Sequence, residues 1–112
     1  MKRPPRATVA HALTALAVAT ALPTAAAPAV PDLARERHCM NCHALDRKLV
    51  GPALEDVAKR YAGQGAMLPK LAAKVVSGGG GAWGPVPMPA NPQVTPDEAR
   101  QLVAWVLSLK RK

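Results

Sequence analysis

Apolar residues recur at helical spacing in four segments of the chain, all of them after residue 30. The last segment has the clearest pattern, because Thr95, Pro96 and Glu98 give the signature of a capping box with proline at the first helical position. The basic residues Lys110–Lys112 suit the negative end of a helix. Between these ends, apolar residues repeat on one helical face at Ala99, Leu102, Val103, Val106 and Leu109. We therefore predict a final helix that begins after Thr95.

Three shorter helices are predicted before it. The first is expected to open at Pro31 and Asp32 and to run into Cys39. The second and third follow from apolar positions at helical spacing, and each ends at glycine; these positions are Leu54, Val57, Ala58 and Tyr61, then Leu68, Leu71, Ala72 and Val75. No segment alternates between apolar and polar residues for long enough to predict a strand. The prediction is an all-α fold of about four short helices.

A long loop, residues 77–94, separates the third and fourth helices, and we call it the strap. It contains four consecutive glycines and four prolines, which forbid a regular helix and favour stiff, extended backbone. A loop this long inside a small domain is usually functional. Because the strap also contains Trp83 and Met88, we expect it to be ordered and to wrap around something.

The first 29 residues have the order of a secretory signal peptide. Lys2, Arg3 and Arg6 precede an apolar stretch that is far shorter than a membrane span, and small residues follow. Cleavage is expected at about residues 26–29, after the pattern 24–26 or the pattern 27–29, so that residues 30–112 form the functional domain. An uncleaved amphipathic anchor is the alternative, but the stretch lacks the polar face that such an anchor requires.

Composition limits what the 112-residue chain can be. The length allows one small domain, and two cysteines exclude both a multi-bridge disulfide scaffold and a four-cysteine zinc site. Phenylalanine is absent and only three aromatic residues occur, so something else must fill the core. Without the first 29 residues, twelve basic and seven acidic residues remain, and the net charge falls from +8 to +5. This excess favours an acidic protein partner over nucleic acid.

The two cysteines belong to the pattern C-x-x-C-H, which is typical of c-type haem attachment. Cys39 and Cys42 are placed to form thioethers with the two vinyl groups of one porphyrin edge, and His43 can then bind the iron from the same side. In an exported protein of this size we expect one covalently attached haem c. The haem would also supply the aromatic core that the composition lacks.

Three other readings of the cysteines remain open but are weaker. A thioredoxin-like dithiol requires a βαβ context that the chain does not show. A Cys39–Cys42 disulfide would leave the core unfilled. A zinc site could recruit His38 and His43, but four ligands within six residues would be geometrically cramped.

The second axial ligand of the iron is expected to be Met88. His11 is lost with the signal peptide, while His38 and Met40 are tethered beside the motif. Met67 begins a predicted helix and suits a core position. The prolines that flank Met88 fix its backbone and lower the entropy lost on holding its thioether in place. A His–Met pair raises the reduction potential relative to two histidines.

These residues resemble a known family. The segments 39–43, 49–53 and 83–91 are similar to the class I c-type cytochromes of the cytochrome c-551 group, which are small bacterial monohaem proteins. The resemblance covers about residues 31–110, and the strap sequence from Trp83 to Asn91 is more specific than C-x-x-C-H. It implies the class I cytochrome c fold, with about four short helices wrapped around one haem and a long Gly/Pro-rich strap.

The resemblance also assigns roles to four further residues. It implies that the Pro52 carbonyl accepts a hydrogen bond from His43 and that the Trp83 indole donates one to a haem propionate. It places Asn91 near the Met88 sulfur, where it would tune the potential. Lys74 occupies a position at which the family often has a basic propionate partner, here a lysine and not a bidentate arginine.

The function expected from these features is electron transfer and not catalysis. An iron bound by both His43 and Met88 has no open position for a substrate. We expect a monomeric, soluble periplasmic shuttle in a respiratory or denitrification-type chain, with a basic rim at Arg47, Lys48 and Lys59 for acidic patches on a reductase, oxidase, peroxidase or quinol-oxidising complex. No nucleic-acid partner is expected, and no membrane span after signal cleavage. The alternatives are a haem sensor or peroxidatic enzyme with a labile methionine ligand, and a haem-free thiol oxidoreductase.

Overall fold

The computed structural model describes residues 1–109. Residues 1–29 are exposed and contain no helix or strand. Lys110–Lys112, which the sequence assigned to the end of the last helix, lie outside the described residues. None of the helices within residues 1–109 has the length and hydropathy needed to cross a membrane.

Within residues 1–109, four α-helices form the fold, which confirms the mostly helical prediction. Two single-turn 3₁₀ helices, Cys39–Asn41 and Gly65–Met67, lie between them. The α-helices are α1 (Val30–Glu36), α2 (Leu54–Arg60), α3 (Leu68–Ser77) and α4 (Pro96–Ser108). Because α4 packs against each of the other three, it is the central element of the fold.

The start of α4 is fixed by the capping box that the sequence predicted. The Thr95 hydroxyl accepts a hydrogen bond from the Glu98 amide at 3.2 Å, and the Glu98 carboxylate accepts one from the Thr95 amide at 3.1 Å. Two amides that the helix itself cannot pair are thereby satisfied. The helix entry, and with it the end of the strap, is thus held in one position.

The buried core contains only small and medium aliphatic side chains. It lies where α4 meets α1 and α3, and Val94 adds to it from the end of the strap. Its members are Leu33, Ala34, Ala72, Val94, Ala99, Leu102 and Val103. Several larger apolar side chains of the same helices, among them Leu71, Val75 and Trp105, are only partly buried around it. The protein alone therefore leaves one side of the core without a complete cover of apolar side chains.

Helix α1 ends before the cysteine motif, and the prediction that it runs into Cys39 was wrong. The last helical residue is Glu36, and His38 adopts a left-handed conformation with φ of 64°. The amides of Arg37 and His38 donate to the carbonyls of Leu33 and Arg35, which closes the helix end. Since a left-handed residue cannot continue a helix, Cys39 starts a separate turn.

A bidentate ion pair joins the end of α1 to the start of α4. Arg37 donates from Nε and Nη2 to the two carboxylate oxygens of Glu98, at 3.0 and 2.7 Å. The hydrogen bonds from Arg37 and from the Thr95 amide lower the pKa of Glu98. The same carboxylate raises the pKa of Arg37. Glu98 thus belongs to both the helix cap and the contact between helices.

The strap contains a short antiparallel hairpin that the sequence did not predict. Its strands are β1 (Gly79–Gly81) and β2 (Gly84–Met88), with Gly79 opposite Met88 and Gly81 opposite Gly84. Glycine and proline give no alternation of apolar and polar side chains, so the pattern carried no strand signal. In a two-stranded hairpin the alternate prolines of β2 can face the outer edge, where no backbone donor is needed.

Candidate functional site

A large apolar cleft opens on the incomplete side of the core. It is lined by residues of the cysteine motif, α2, α3, the strap and α4. The empty space measures about 1260 Å³, a volume that includes the solvent in its open mouth. Seven of the residues singled out in the sequence line it, namely Cys39, Cys42, His43, Pro52, Lys74, Trp83 and Met88.

The walls of the cleft fit a flat, largely apolar group such as haem. Val57, Leu71, Val75 and Trp105 line it, and each is only partly buried by the protein itself. Covering such side chains with an apolar ring removes their surface from water, which is favourable at about 25 cal/mol per Å². The donor set in the cleft is two thiols, one imidazole and one thioether. This is the chemistry that a c-type haem requires.

The His43 ring is held by hydrogen bonding and by close packing. Its Nδ1 lies 2.8 Å from the Pro52 carbonyl oxygen, so Nδ1 carries the hydrogen and donates it. The other ring nitrogen, Nε2, keeps its lone pair for a metal. A β-carbon at Gly51 would lie 2.5 Å from His43 Cε1 and 2.8 Å from Nδ1. Only glycine therefore allows the chain to pass this close to the ring.

Main-chain hydrogen bonds connect the segment after His43 to the cysteine motif and to the residues next to it. The Gly51 amide donates to the Cys42 carbonyl at 2.8 Å. The first amides of α2, those of Leu54 and Glu55, donate to the carbonyls of Ala44 and Leu45 at 2.9 and 3.0 Å. These bonds hold Pro52 beside the imidazole and fix the start of α2 relative to His43.

The two cysteines are free, half-buried thiols in the structure. Burial raises the pKa of the Cys39 thiol. Reactive dithiols show the opposite shift, because their function needs a stable thiolate at neutral pH. The zinc alternative also finds no support, since no three His, Cys, Asp or Glu side chains within residues 1–109 are grouped to hold a metal ion.

Met88 ends strand β2 and is half-buried in the cleft wall. The first residues of the strap lie close to the residues next to Met88. A β-carbon at Gly78, whose φ is 76°, would lie 2.8 Å from the Met88 carbonyl oxygen and 2.7 Å from the Ala90 amide nitrogen. The Asn91 amide donates to the Val76 carbonyl at 3.0 Å and joins the two segments at the base of the strap. The backbone around Met88 is thus fixed at its base.

The Asn91 side chain is hydrogen-bonded to the main chain at the base of the strap. Its Nδ2 donates to the Val75 carbonyl at 2.8 Å and to the Pro89 carbonyl at 3.3 Å. The free carbonyls at the end of α3 explain this orientation, because they lack partners within the helix. In the structure Asn91 anchors the strap to α3.

Lys74 and Trp83 both line the cleft. The Lys74 stem packs along the start of the strap, where a β-carbon at Gly79 would lie 3.1 Å from Lys74 Cε. Trp83 is half-exposed at the tip of the hairpin.

Arg60 contacts the strap next to the cleft, and the sequence analysis missed this contact. Its guanidinium carbon lies 3.4 Å from the centroid of the Trp83 ring, and its Nη1 donates to the Ala82 carbonyl at 2.5 Å. Arg60 precedes Trp83 by 23 positions and looks like an ordinary basic residue in the last turn of α2. Nothing in the pattern linked it to the strap.

Comparison with known proteins agrees with these features. The family model for cytochrome c matches residues 29–110. Cytochrome c-552 of Hydrogenobacter thermophilus is 54% identical over 79 residues, which cover 70% of this chain and 80% of that protein. Cytochrome c-551 of Pseudomonas aeruginosa is 46% identical over 99 residues, covering 88% and 94%.

A solved structure shows the same fold. The crystal structure of Nitrosomonas europaea cytochrome c552 superposes with a TM-score of 0.69 at 42% identity, over 71% of this chain and 99% of that one. The chain therefore belongs to the cytochrome c family, as an electron carrier with one covalently attached haem c and not an enzyme.

Proposed function

We propose that the protein is a periplasmic monohaem cytochrome c that passes single electrons between redox partners, with His43 and Met88 as axial iron ligands. In this proposal Cys39 and Cys42 form the thioethers. The observation that carries it is that these four side chains, from two segments far apart in the sequence, line one apolar cleft. The pathway served would be a respiratory or denitrification-type chain.

Bound haem supplies reversible one-electron exchange at its iron. The protein residues supply fixed ligands and an apolar surrounding. Pro52 holds the His43 ring in the tautomer whose Nε2 keeps its lone pair for a metal. The close packing at Gly78 and the hydrogen bond of the Asn91 amide fix the backbone around Met88. Since neither side chain has to move between the two oxidation states, the protein contributes little reorganisation to electron transfer.

Export is part of the proposal, with a signal peptide that begins at residue 1 and ends between residues 26 and 29. Support comes from their basic start and apolar stretch. The structure also favours one of the two candidate cleavage positions. The Ala29 carbonyl accepts from the amides of Asp32 and Leu33, both at 2.9 Å, and so begins α1. Cleavage after Ala29 would remove this carbonyl and leave a positive amino group at the helix start, so we propose cleavage after Ala26.

The docking surface is proposed to be the loop that follows the haem motif. Arg47 and Lys48 are exposed there beside the exposed apolar side chains of Leu49 and Val50. Lys59 extends the basic rim along α2. A small apolar patch within a basic rim suits weak, rapidly exchanging contact with an acidic redox protein. We expect a monomer that binds no nucleic acid.

The ligation is tested by the absorption spectrum of the purified exported protein. We expect haem that resists acid–acetone extraction and a low-spin ferric spectrum at neutral pH. Extractable haem would exclude covalent attachment through the cysteines. A high-spin ferric spectrum would exclude stable binding by both ligands and would favour the sensor or peroxidatic alternative.

The docking surface is tested by electron-transfer rates with acidic redox proteins at several salt concentrations. Salt shortens the range of attraction between charges, so the second-order rate should fall as salt rises. Lys48→Gln should reduce this salt dependence, whereas the matched change Lys70→Gln on α3 should leave it unchanged. A rate that does not depend on salt would exclude the basic rim.

A further inference from the structure

The tip of the strap has few contacts with the helices. Its base is held at Gly78 and Asn91, as described above. Beyond the base, β1 and β2 pair mainly with each other. The turn between them, residues 82–83, is exposed or half-exposed. Some contact other than the base is needed to keep this turn against the rest of the protein.

Arg60 supplies that contact through two interactions on the same turn. Its guanidinium stacks on the Trp83 ring at 3.4 Å, a cation–π arrangement, and it donates to the Ala82 carbonyl at 2.5 Å. A planar guanidinium can do both at once because its N–H groups lie in the plane that stacks on the ring. A lysine ammonium has no such plane.

Helix α2 connects this contact to the opposite side of the cleft. The helix has seven residues, Leu54–Arg60, and is therefore only about 10 Å long at 1.5 Å per residue. Its first amides donate to Ala44 and Leu45, which directly follow His43. Its last residue is Arg60. One short helix thus reaches from the His43 side of the cleft to the strap that contains Met88.

We propose that Arg60 is a positioning residue that holds the tip of the strap against α2 and so keeps Met88 in place across the cleft from His43. The role of the strap contact itself does not depend on haem ligation, but its consequence for the iron rests on the proposed function of Met88. The ordinary role of Arg60 as a basic residue at a helix C-terminus would be shared by its neighbour Lys59.

The test compares three variants of the holoprotein, Arg60→Met, Arg60→Lys and Lys59→Met. Arg60→Met removes the charge, the stacking plane and the donor but keeps an unbranched side chain. Arg60→Lys keeps the charge alone. Lys59→Met is the matched control, because it removes the same charge from the same helical turn without touching the contact to Trp83.

The first readout is amide hydrogen exchange of the strap, measured at Gly79, Val86 and Met88 and compared with α4. Arg60→Met should raise the exchange rates of the strap about tenfold through more frequent local opening, while α4 amides stay unchanged. Arg60→Lys should lie between Arg60→Met and the native protein, and Lys59→Met should match the native protein. Equal rates in Arg60→Met and the native protein would overturn the proposal, as would equal acceleration of the strap and α4.

The second readout is the Met–iron absorption band of the ferric holoprotein during titration with denaturant. If Met88 is the ligand, Arg60→Met should lose the band at a lower denaturant concentration than Lys59→Met. Retention of the band to the same concentration in both variants would overturn the effect on the iron. If the native protein lacks the band while strap exchange still responds to Arg60→Met, the contact stands and the proposed ligation by Met88 fails.

Discussion

The helices α1, α3 and α4 and the strap are stabilised in different ways, although they form adjoining walls of one cleft. The helices share a buried aliphatic core, in which Ala99 and Leu102 are 0% and 4% exposed. The strap contributes Val94 to that core, but most of its residues are exposed or half-exposed. It is held by main-chain pairing, by Asn91 at its base and by Arg60 at its tip.

Apolar burial and directed polar contacts suit different parts of the molecule. Burial of apolar surface is strong but non-directional, which suits a support that only has to remain folded. A few directed polar contacts are weaker, yet they fix the backbone on either side of Met88. The two regions should therefore respond separately, so that changes in the core unfold the whole domain while changes in the strap open it locally.

The largest effect is expected from Leu102→Ala. Removing a buried leucine side chain from the core should lower the free energy of unfolding of the holoprotein by about 2–5 kcal/mol, because the cavity is only partly refilled. Denaturant unfolding followed by circular dichroism measures this change. Gln101→Ala, at the exposed neighbouring position of α4, is the control. A loss no greater than that of the control would contradict the assignment of the core.

A smaller and more local effect is expected from Asn91→Ala. It removes hydrogen bonds to the Val75 and Pro89 carbonyls and should weaken the strap by about 1–2 kcal/mol. Amide exchange should accelerate in the strap before it does in α4. If exchange rises equally in both, the strap does not open separately from the helices and is not a separate unit of stability.

His38→Gly should stabilise the domain. His38 has a φ of 64°, and relieving a non-glycine residue of the left-handed conformation should add about 1 kcal/mol to the free energy of unfolding. His38→Ala retains the constraint without the imidazole and serves as the control. Thermal unfolding of the three proteins measures the effect. A gain in both variants would show that the imidazole, and not the backbone, is unfavourable.

The smallest effect concerns acid stability and the ion pair between α1 and α4. Because the folded state lowers the pKa of Glu98, the stabilisation is complete above the ordinary pKa of a carboxyl group. It is lost as the pH falls through the lower folded-state value. Unfolding of Glu98→Gln should therefore depend less on pH in the acid range than unfolding of the native protein. Asp97→Asn, exposed on the same helical turn, should keep the native dependence.

The helices could be predicted from the sequence where the physical cause is local. The capping box of Thr95 and Glu98 lies within four residues, and the structure contains both of its hydrogen bonds. The end of α1 was missed, because histidine adopts the left-handed conformation less readily than glycine and so gives a weaker signal for a helix end. The hairpin was missed because its strands pair through backbone groups of glycine-rich segments.

The candidate site shows the same division between local and distant causes. The motif Cys39–His43 and the flanked position of Met88 are visible as short patterns, and the structure places them on one cleft. Arg60 and Trp83 meet only because α2 and the strap fold together. The orientation of Asn91 depends on unpaired carbonyls at the end of α3. Contacts of this kind depend on tertiary structure and leave no periodic signal.

The central claim is that the strap supplies the second iron ligand through Met88. The most direct measurement is the Met–iron absorption band of the ferric holoprotein in three forms, namely native, Met88→Ala and Met67→Ala. Met67 lies in the turn before α3 and serves as the matched control. We predict that the band is present in the native protein and in Met67→Ala and absent from Met88→Ala. A band that persists in Met88→Ala would contradict the account.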